Sequence, residues 1–167
     1  MPLTLRPLAP EEAPLFLKAE VDAFAVHARC FPGGGVPGME EANPGAASLR
    51  AAMADPATAV LAIGDGGRFV GGAIAKDLGQ GAVGIDLFFL VAACQGRGLG
   101  KAALDLVEAH FPVARLFRLV TPSQVVRNAY FYVNKCGYRI VKVINYDRAA
   151  NAADYVFVKK AGAPHGH

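Results

Sequence analysis

The sequence lacks the long apolar run that a membrane-spanning helix requires. Its longest unbroken apolar stretch, Leu87–Cys94, falls far short of the roughly 18 residues needed to cross a bilayer. The amino terminus has no cationic segment followed by an apolar one, so no signal peptide is expected. We therefore expect a cytoplasmic protein that does not associate with membranes.

Charged residues and cysteines are also scarce. Charged residues make up 19% of the 167 residues, and 17 basic against 14 acidic side chains leave a net charge of +3. No basic block of the kind that follows a nucleic-acid backbone is present, so nucleic acid is not an expected partner. Cys30, Cys94 and Cys136 are an odd number without metal-ligand spacing, which predicts reduced thiols and no metal site.

The chain does contain an ordered series of strand and helix patterns. Seven strands are predicted, over Leu3–Arg6, Thr58–Ile63, Arg68–Ala75, Ala82–Val91, Leu116–Val120, Tyr138–Ile144 and Tyr155–Lys159. Four helices are predicted, from Pro10 to about Ala28, from Asn43 to Asp55, over Leu99–Phe111 and over Val125–Cys136. This order indicates an α/β (α+β) fold, with a mixed central sheet of about seven strands and helices on both faces. We expect one domain over residues 1–160 and a flexible tail over 161–167.

A glycine-rich turn separates the predicted strand Ala82–Val91 from the helix that begins at Leu99. Backbone N–H groups at a helix start have no partner inside the helix, and with the helix dipole they favour an anion such as phosphate. The segment is not a P-loop, because Gln95 and Ala102 stand where that motif needs Gly and Ser or Thr. It is not a dinucleotide fingerprint either, because Lys101 replaces the last glycine.

The pattern that the turn does meet is Gln/Arg-x-x-Gly-x-Gly/Ala, over Gln95–Gly100. It resembles the pyrophosphate-binding motif of the GNAT superfamily of acetyltransferases. A second segment, Ala129–Tyr138, resembles the helix-to-strand segment of that family, with Lys135, Gly137 and Tyr138 matching. The element order agrees as well, so the likeness covers nearly the whole chain.

The resemblance implies an N-acetyltransferase that uses acetyl-coenzyme A as co-substrate. The acetyl group would pass to a primary amine of an unidentified small-molecule or peptide acceptor, by direct attack in a ternary complex. The predicted cofactor-binding residues are Leu90, Val91, Gln95, Gly96, Arg97, Gly98, Leu99, Gly100 and Lys101. The family's asparagine falls at Val126, so Asn128, two residues later, is either a further cofactor contact or a solvent-facing helix residue.

Two residues of the strand before the turn are candidates for catalysis. Phe88 occupies the position at which the family uses a backbone N–H to stabilise an oxyanion. Asp86 is the only charged residue of Ile85–Val91, and it shares a strand face with Gly84, where the family often has a base. Asp86 is therefore either the general base, or the residue that orients a base water, or a structural carboxylate paired with a nearby backbone group or cation.

One departure from the family leaves a second function open. Val133 stands where the family often has the tyrosine that protonates the leaving thiolate, and on an α-helix Tyr132 would point about 100° away. The alternative is a non-catalytic acyl-coenzyme A-binding or regulatory module of the same fold. The two hypotheses differ in whether an amine causes thioester consumption.

Two further expectations concern surfaces. The glycine-rich segment Phe31–Gly45, with Glu40 and Glu41, is expected to border the acceptor pocket. A homodimer through the carboxyl-terminal strands is expected, because a sheet ending in Tyr155–Val158 would leave an apolar edge in need of cover.

Overall fold

A computed structural model describes residues 2–26 and 45–162 of the chain. Its strands are β1 (Leu3–Pro7), β2 (Thr58–Asp65), β3 (Arg68–Gly79), β4 (Ala82–Leu90), β5 (Leu116–Pro122), β6 (Arg139–Asp147) and β7 (Ala152–Lys160). Its α-helices are α1 (Ala13–Ala25), α2 (Ala46–Ala54), α3 (Leu99–Ala109) and α4 (Val126–Tyr130). Most of the predicted acceptor segment, with Glu40 and Glu41, lies outside the described residues, as do Cys30 and the end of the tail.

The seven strands form one mixed sheet in the order β1-β2-β3-β4-β5-β7-β6. Every neighbouring pair is antiparallel except β4 and β5, which run parallel. This confirms the predicted fold class. Strand β4 lies at the centre of the sheet, as expected for a strand that is apolar on both faces.

Helices cover both faces of the sheet. On one face, Phe16 of α1 and Leu49 of α2 are fully buried against residues of β2, β3 and β4. On the other face, Leu104 of α3 packs with Phe117 and Phe157 of β5 and β7. Burial of each large side chain stabilises the fold by about 1.5–3 kcal/mol, so these two layers hold the helices to the sheet.

A buried ion pair joins helix α3 to strand β7. Lys159 Nζ of β7 donates to Glu108 Oε1 at 2.8 Å, and Tyr138 Oη donates to Glu108 Oε2 at 3.0 Å. The Glu108 carboxylate therefore has a partner for each oxygen, which offsets the cost of burying its charge.

The edge of the sheet at the carboxyl-terminal end is β6, not β7. Strand β7 pairs with β5 on one side and with β6 on the other, so Tyr155–Val158 lies inside the sheet and the predicted apolar edge there was wrong. The strand that does lie at the edge exposes Val141, Val143 and Tyr146. The homodimer itself stays a prediction.

Within the described ranges, no helix is long and apolar enough to cross a membrane.

Candidate active site

A cleft of about 1020 Å³ opens where β4 and β5 part. The two strands pair only through their first residues, Ala82–Gly84 of β4 with Leu116–Arg118 of β5. Beyond Gly84 the strands diverge, although β4 continues to Leu90 and β5 to Pro122. The cleft lies between them, and one backbone edge of β4 faces it without a strand partner.

A β-bulge at Asp86 accompanies this divergence. In the β3–β4 register Ile74 pairs with Leu87 and Ala75 pairs with Ile85, so Asp86 is an extra residue without a partner on β3. A bulge bends the strand and increases its local twist. The bulge thus lies at the first residues of β4 that no longer pair with β5.

One hydrogen bond shows in which direction each backbone N–H group of β4 points. The N–H of Val91 donates to the carbonyl of Val70 on the β3 side at 2.9 Å. Because backbone groups alternate along a strand, the N–H groups of Leu90 and Phe88 point the other way, toward the side from which β5 has parted. Phe88 therefore presents its N–H to the cleft.

The turn after β4 presents further N–H groups. Gly96 and Gly98 have φ angles of +72° and +77°, a region that favours glycine, and open space lies where their side chains would be. The N–H groups of residues 96, 97 and 98 donate no hydrogen bond to any residue that the structure describes. Together with the start of the 11-residue helix α3, they form a concave donor surface suited to an anion.

The side chain of Gln95 braces this turn. Its Nε2 donates to the carbonyl of Leu90 at 2.9 Å and to that of Ala23 in α1 at 3.4 Å. The turn is thereby held to β4 and to α1 at the same time. In this arrangement the amide orients the turn, and the donors that remain for a ligand are backbone groups.

Two residues at the start of α3 are engaged by neighbouring side chains. A Cβ atom on Gly100 would lie 3.0 Å from the ring of Phe131, so glycine at this position permits close packing of α3 against Phe131. Lys101 Nζ forms an ion pair with Asp105 Oδ2 at 2.9 Å, one turn further along the same helix. Its ammonium nevertheless borders the cleft.

The structure brings most of the predicted site residues to one place. Those that line the cleft are Asp86, Phe88, Leu90, Gln95, Gly96, Gly98, Gly100, Lys101 and Asn128. The other three do not line it. Val91 and Leu99 pack into the apolar layers, and Arg97 is exposed beside the turn.

Asp86 lies in the cleft and is solvent-exposed. The reason is the bulge, which places this residue at the point where the strands part. A Cβ atom at Gly84 would lie 3.5 Å from Asp86 Oδ1, so the two positions do share one space. Partial burial raises the pKa of the Asp86 carboxyl by desolvation, and the positive charges of Lys76 and Arg118 oppose that rise.

The helix after β5 is not a regular α-helix throughout. It is α-helical over Val126–Tyr130 and becomes a π-helix over Phe131–Lys135, where the N–H of Cys136 donates to the carbonyl of Phe131 at 3.1 Å. A π turn holds one residue more than an α turn. Side-chain directions that are counted along an α-helix therefore no longer apply in this segment.

Tyr132 belongs to this π-helical segment and lies at the wall of the cleft. Tyr132 is 8% exposed and lines the cleft, whereas Val133 packs at the margin of the core and does not. The sequence-based objection that Tyr132 points elsewhere was wrong, because it assumed α-helical geometry. Burial raises the pKa of the Tyr132 phenol, so the group is neutral at physiological pH.

Sequence reasoning missed Glu20 of α1, which also lines the cleft. This residue is 2% exposed, and its Oε2 atom accepts no hydrogen bond within the described residues. Burial raises the pKa of this carboxyl to about 7. A signal was present, since Phe16, Ala19, Glu20 and Ala23 have the spacing of one buried helix face, on which a charge is unexpected. No cluster of His, Cys, Asp and Glu side chains able to hold a metal occurs in the described part of the chain.

Comparison with known proteins agrees with this geometry. The chain is 37% identical over 91 residues to the uncharacterised protein YrkN of Bacillus subtilis, a match that covers 54% of this chain and 49% of that protein. The chain thus matches about half the length of this curated relative. An acetyltransferase from Thermus thermophilus has the same fold, with a TM-score of 0.70 at 24% identity over 96% of this chain and 97% of that one.

A further solved structure is that of PaiA N-acetyltransferase from Thermoplasma acidophilum in complex with coenzyme A. It superposes with a TM-score of 0.74 at 14% identity, over 96% of this chain and 99% of that one. At these identities, both structures show the fold alone. The family model of the acetyltransferase (GNAT) family matches residues 21–138, well over half of the sequence, and includes both β4 and the glycine turn. The chain therefore belongs to the acetyltransferase (GNAT) family.

Proposed function

We propose that this protein transfers an acetyl group from acetyl-coenzyme A to a primary amine, by direct attack of the amine in a ternary complex. The observation that carries the proposal is the parting of β4 and β5 beside a turn of free N–H groups. An open strand edge and an anion site then lie in one cleft of about 1020 Å³. Acetyl-coenzyme A supplies the activated acetyl group.

The turn is the proposed site of the coenzyme A pyrophosphate. Its N–H groups at residues 96–98 and the positive end of α3 favour two adjacent phosphates. Gly96 and Gly98 have no side chain and open space beside their Cα atoms, which lets a phosphate approach the backbone closely. The PaiA structure contains coenzyme A, which agrees with a cofactor in this fold.

The unpaired edge of β4 is the proposed site of the amide-containing arm and the thioester. Extended amide groups can pair with a free strand edge as an added strand would. The N–H of Phe88 on that edge is the proposed donor to the thioester oxygen, which gains negative charge as the amine attacks. A backbone donor suits this role because the sheet holds it in place before the reaction.

Two side chains of the cleft are proposed for the proton transfers. Asp86 lies in the cleft with a raised pKa and no ion-pair partner among the described residues, so its carboxylate can take a proton from the attacking amine. Tyr132 lines the cleft and keeps its proton at neutral pH, so its phenol is the proposed hydrogen-bond and proton donor to the departing thiolate. Asn128, whose Nδ2 donates to Thr121 Oγ1 at 3.3 Å, lies on the opposite wall and is a proposed contact of the cofactor.

The alternative of a non-catalytic acyl-coenzyme A-binding module depended on the absence of the tyrosine. Since Tyr132 lies in the cleft, that reason no longer separates this chain from a catalyst. The test has two steps. Acetyl-coenzyme A should raise the melting temperature of the protein, and a panel of primary amines should then be screened for release of free coenzyme A thiol. Stabilisation without thiol release from any amine would favour the binding module.

A further inference from the structure

Glu20 is a buried acid whose Oε2 accepts no hydrogen bond from any residue that the structure describes, unlike Glu12 and Glu108. Glu12 receives hydrogen bonds from Arg6 Nη2 at 2.7 Å and from the Ala9 N–H at 3.0 Å. Glu108 receives them from Lys159 and Tyr138. The Oε2 atom of Glu20 is buried, yet no described residue donates to it.

An unpartnered buried carboxylate is costly to the fold. Burying a polar group without a hydrogen bond costs roughly 1–3 kcal/mol in proteins, and an ionised group costs more. Such a cost at the wall of a cleft indicates a functional role for the carboxylate, whose hydrogen bond forms only when a ligand is bound. The missing partner is then a group that a ligand brings.

The chemistry of the cleft wall selects the kind of ligand group. The cleft is lined by Phe24 of the same helix and by Ile74, Leu87 and Phe89 of the sheet. These four residues pack in one apolar cluster with Ala19 and Ala23, on the helix face that carries Glu20. The other charged side chains that line the cleft are Asp86, Lys101, Arg127, Lys135 and Asp154. On the elements packed against α1, Lys76 and Asp77 lie near the end of β3 and Arg50 lies on α2. Only burial raises the pKa of Glu20, so none of these charges already serves it.

A carboxylate among apolar walls favours a cation and repels an anion. The pyrophosphate of coenzyme A is anionic, so Glu20 does not suit the cofactor. The acceptor amine is a cation in solution near neutral pH, because an alkyl ammonium has a pKa of about 10. We infer that Glu20 binds the cationic amino group of the acceptor and selects for acceptors with an apolar stem beside it, an inference that rests on the proposed acetyltransferase function.

The position of Glu20 agrees with an acceptor site next to the cofactor turn. Ala23 and Phe24, three and four residues later in α1, line the same cleft. The carbonyl of Ala23 accepts a hydrogen bond from Gln95 at the start of the turn. The face of α1 that carries Glu20 and the glycine turn therefore meet in one cleft, on the side where Asp86 is available as a base.

A titration of the unmodified protein tests the inference directly. Glutamate side-chain carboxyl ¹³C resonances are followed by NMR from acid to alkaline pH, and Glu20 is assigned from the spectrum of Glu20→Gln. The probes are n-butylammonium, 1,4-diammoniobutane and phenethylammonium, with n-butanol as the uncharged control. A cation bound to the carboxylate should lower the pKa of Glu20 by about one unit or more. If none of the three ammonium probes moves that pKa, the inference is overturned.

Kinetics provide the second test, with the amine that releases the most thiol from acetyl-coenzyme A. Glu20→Gln should raise the KM of that amine about 10-fold or more, because a charge-assisted hydrogen bond is lost, and should leave the KM of acetyl-coenzyme A unchanged. The matched control is Asp22→Asn, which removes an exposed charge from the same helix and should change neither KM. An unchanged amine KM in Glu20→Gln refutes the role of Glu20 alone. Failure of the unmodified protein to release thiol with any amine refutes the proposed function instead, and the titration then decides on Glu20. If Glu20→Gln does not fold, Glu20 is assigned from through-bond spectra of the unmodified protein instead, and the titration still decides.

Discussion

Glu20 makes the stability of the fold depend on pH in a direction that can be calculated. Burial raises the pKa of its carboxyl from an ordinary value of 4.5 to about 7. The native state therefore holds this proton more tightly than the unfolded chain does. The contribution of this tighter proton binding to the free energy of unfolding is fully present below pH 4.5 and is lost as the pH rises through about 7.

The magnitude follows from the size of the shift. A rise of about 2.5 pKa units at 1.36 kcal/mol per unit amounts to about 3 kcal/mol, of which roughly 2.5 kcal/mol falls between pH 5 and pH 8. Glu20→Gln removes the titrating group and keeps its shape. We expect the stability of this variant, relative to the unmodified protein, to increase by that amount over this pH range. For a chain of this size, the difference is about 5–10 °C in melting temperature.

The assay is urea unfolding of both proteins at matched pH values between about pH 5 and pH 8. The pH dependence of the difference is the quantity of interest, because the buried amide of the variant adds a constant term of its own. Asp22→Asn, on the exposed side of α1, is the control and should show no such trend. A constant difference between Glu20→Gln and the unmodified protein across this range would refute the assignment of Glu20 as a buried, unpartnered carboxylate.

Three further predictions concern the proposed chemistry. Asp86→Asn should lower kcat by about 10² at neutral pH, with acetyl-coenzyme A affinity unchanged and a smaller loss at high pH; full activity at neutral pH would leave Asp86 a structural residue. Gly98→Asp should weaken acetyl-coenzyme A binding in calorimetry by about 10-fold or more relative to Gly98→Asn, because both side chains tolerate the left-handed conformation and only Asp adds a charge against the pyrophosphate; equal affinities would exclude the turn. Tyr132→Phe should lower kcat about 10-fold without loss of thermal stability, because the phenol makes no hydrogen bond with the described residues while the ring contacts persist; an unchanged kcat would exclude Tyr132 as the acid.

Local patterns determined the elements of the fold and the position of the turn. The apolar run before Gln95, the glycines after it and the helical pattern from Leu99 are all contiguous, and each acts through its own backbone geometry. The same holds for the hairpin between β2 and β3, where Gly66 and Gly67 adopt positive φ angles, which favour glycine. Such features can be predicted from sequence because the interactions that produce them span only a few residues.

Tertiary structure decided which of these elements are neighbours. Strand β7 lies between β5 and β6, although the chain visits β6 first, because strand pairing is settled by long-range packing and not by order in the sequence. The divergence of β4 and β5 has the same origin, and it exposes Asp86, which the strand pattern alone would have buried. The sequence indicated the residues along β4 but did not reveal that one edge of the strand is open.

The two cleft residues that sequence reasoning misjudged show the same limit. Tyr132 was excluded by counting along an α-helix, but it lies in a π-helical segment, where that count does not apply. Glu20 stands out in the sequence only as a charge on an apolar helix face, and the arrangement of α1 on the sheet buries its carboxylate without a donor among the described residues. The sequence alone therefore determined the glycine turn that we propose as the anion site, because its N–H donors are close together in the chain. The tertiary structure decided the chemistry opposite the turn, because burial and the lack of a partner depend on groups far apart in the chain.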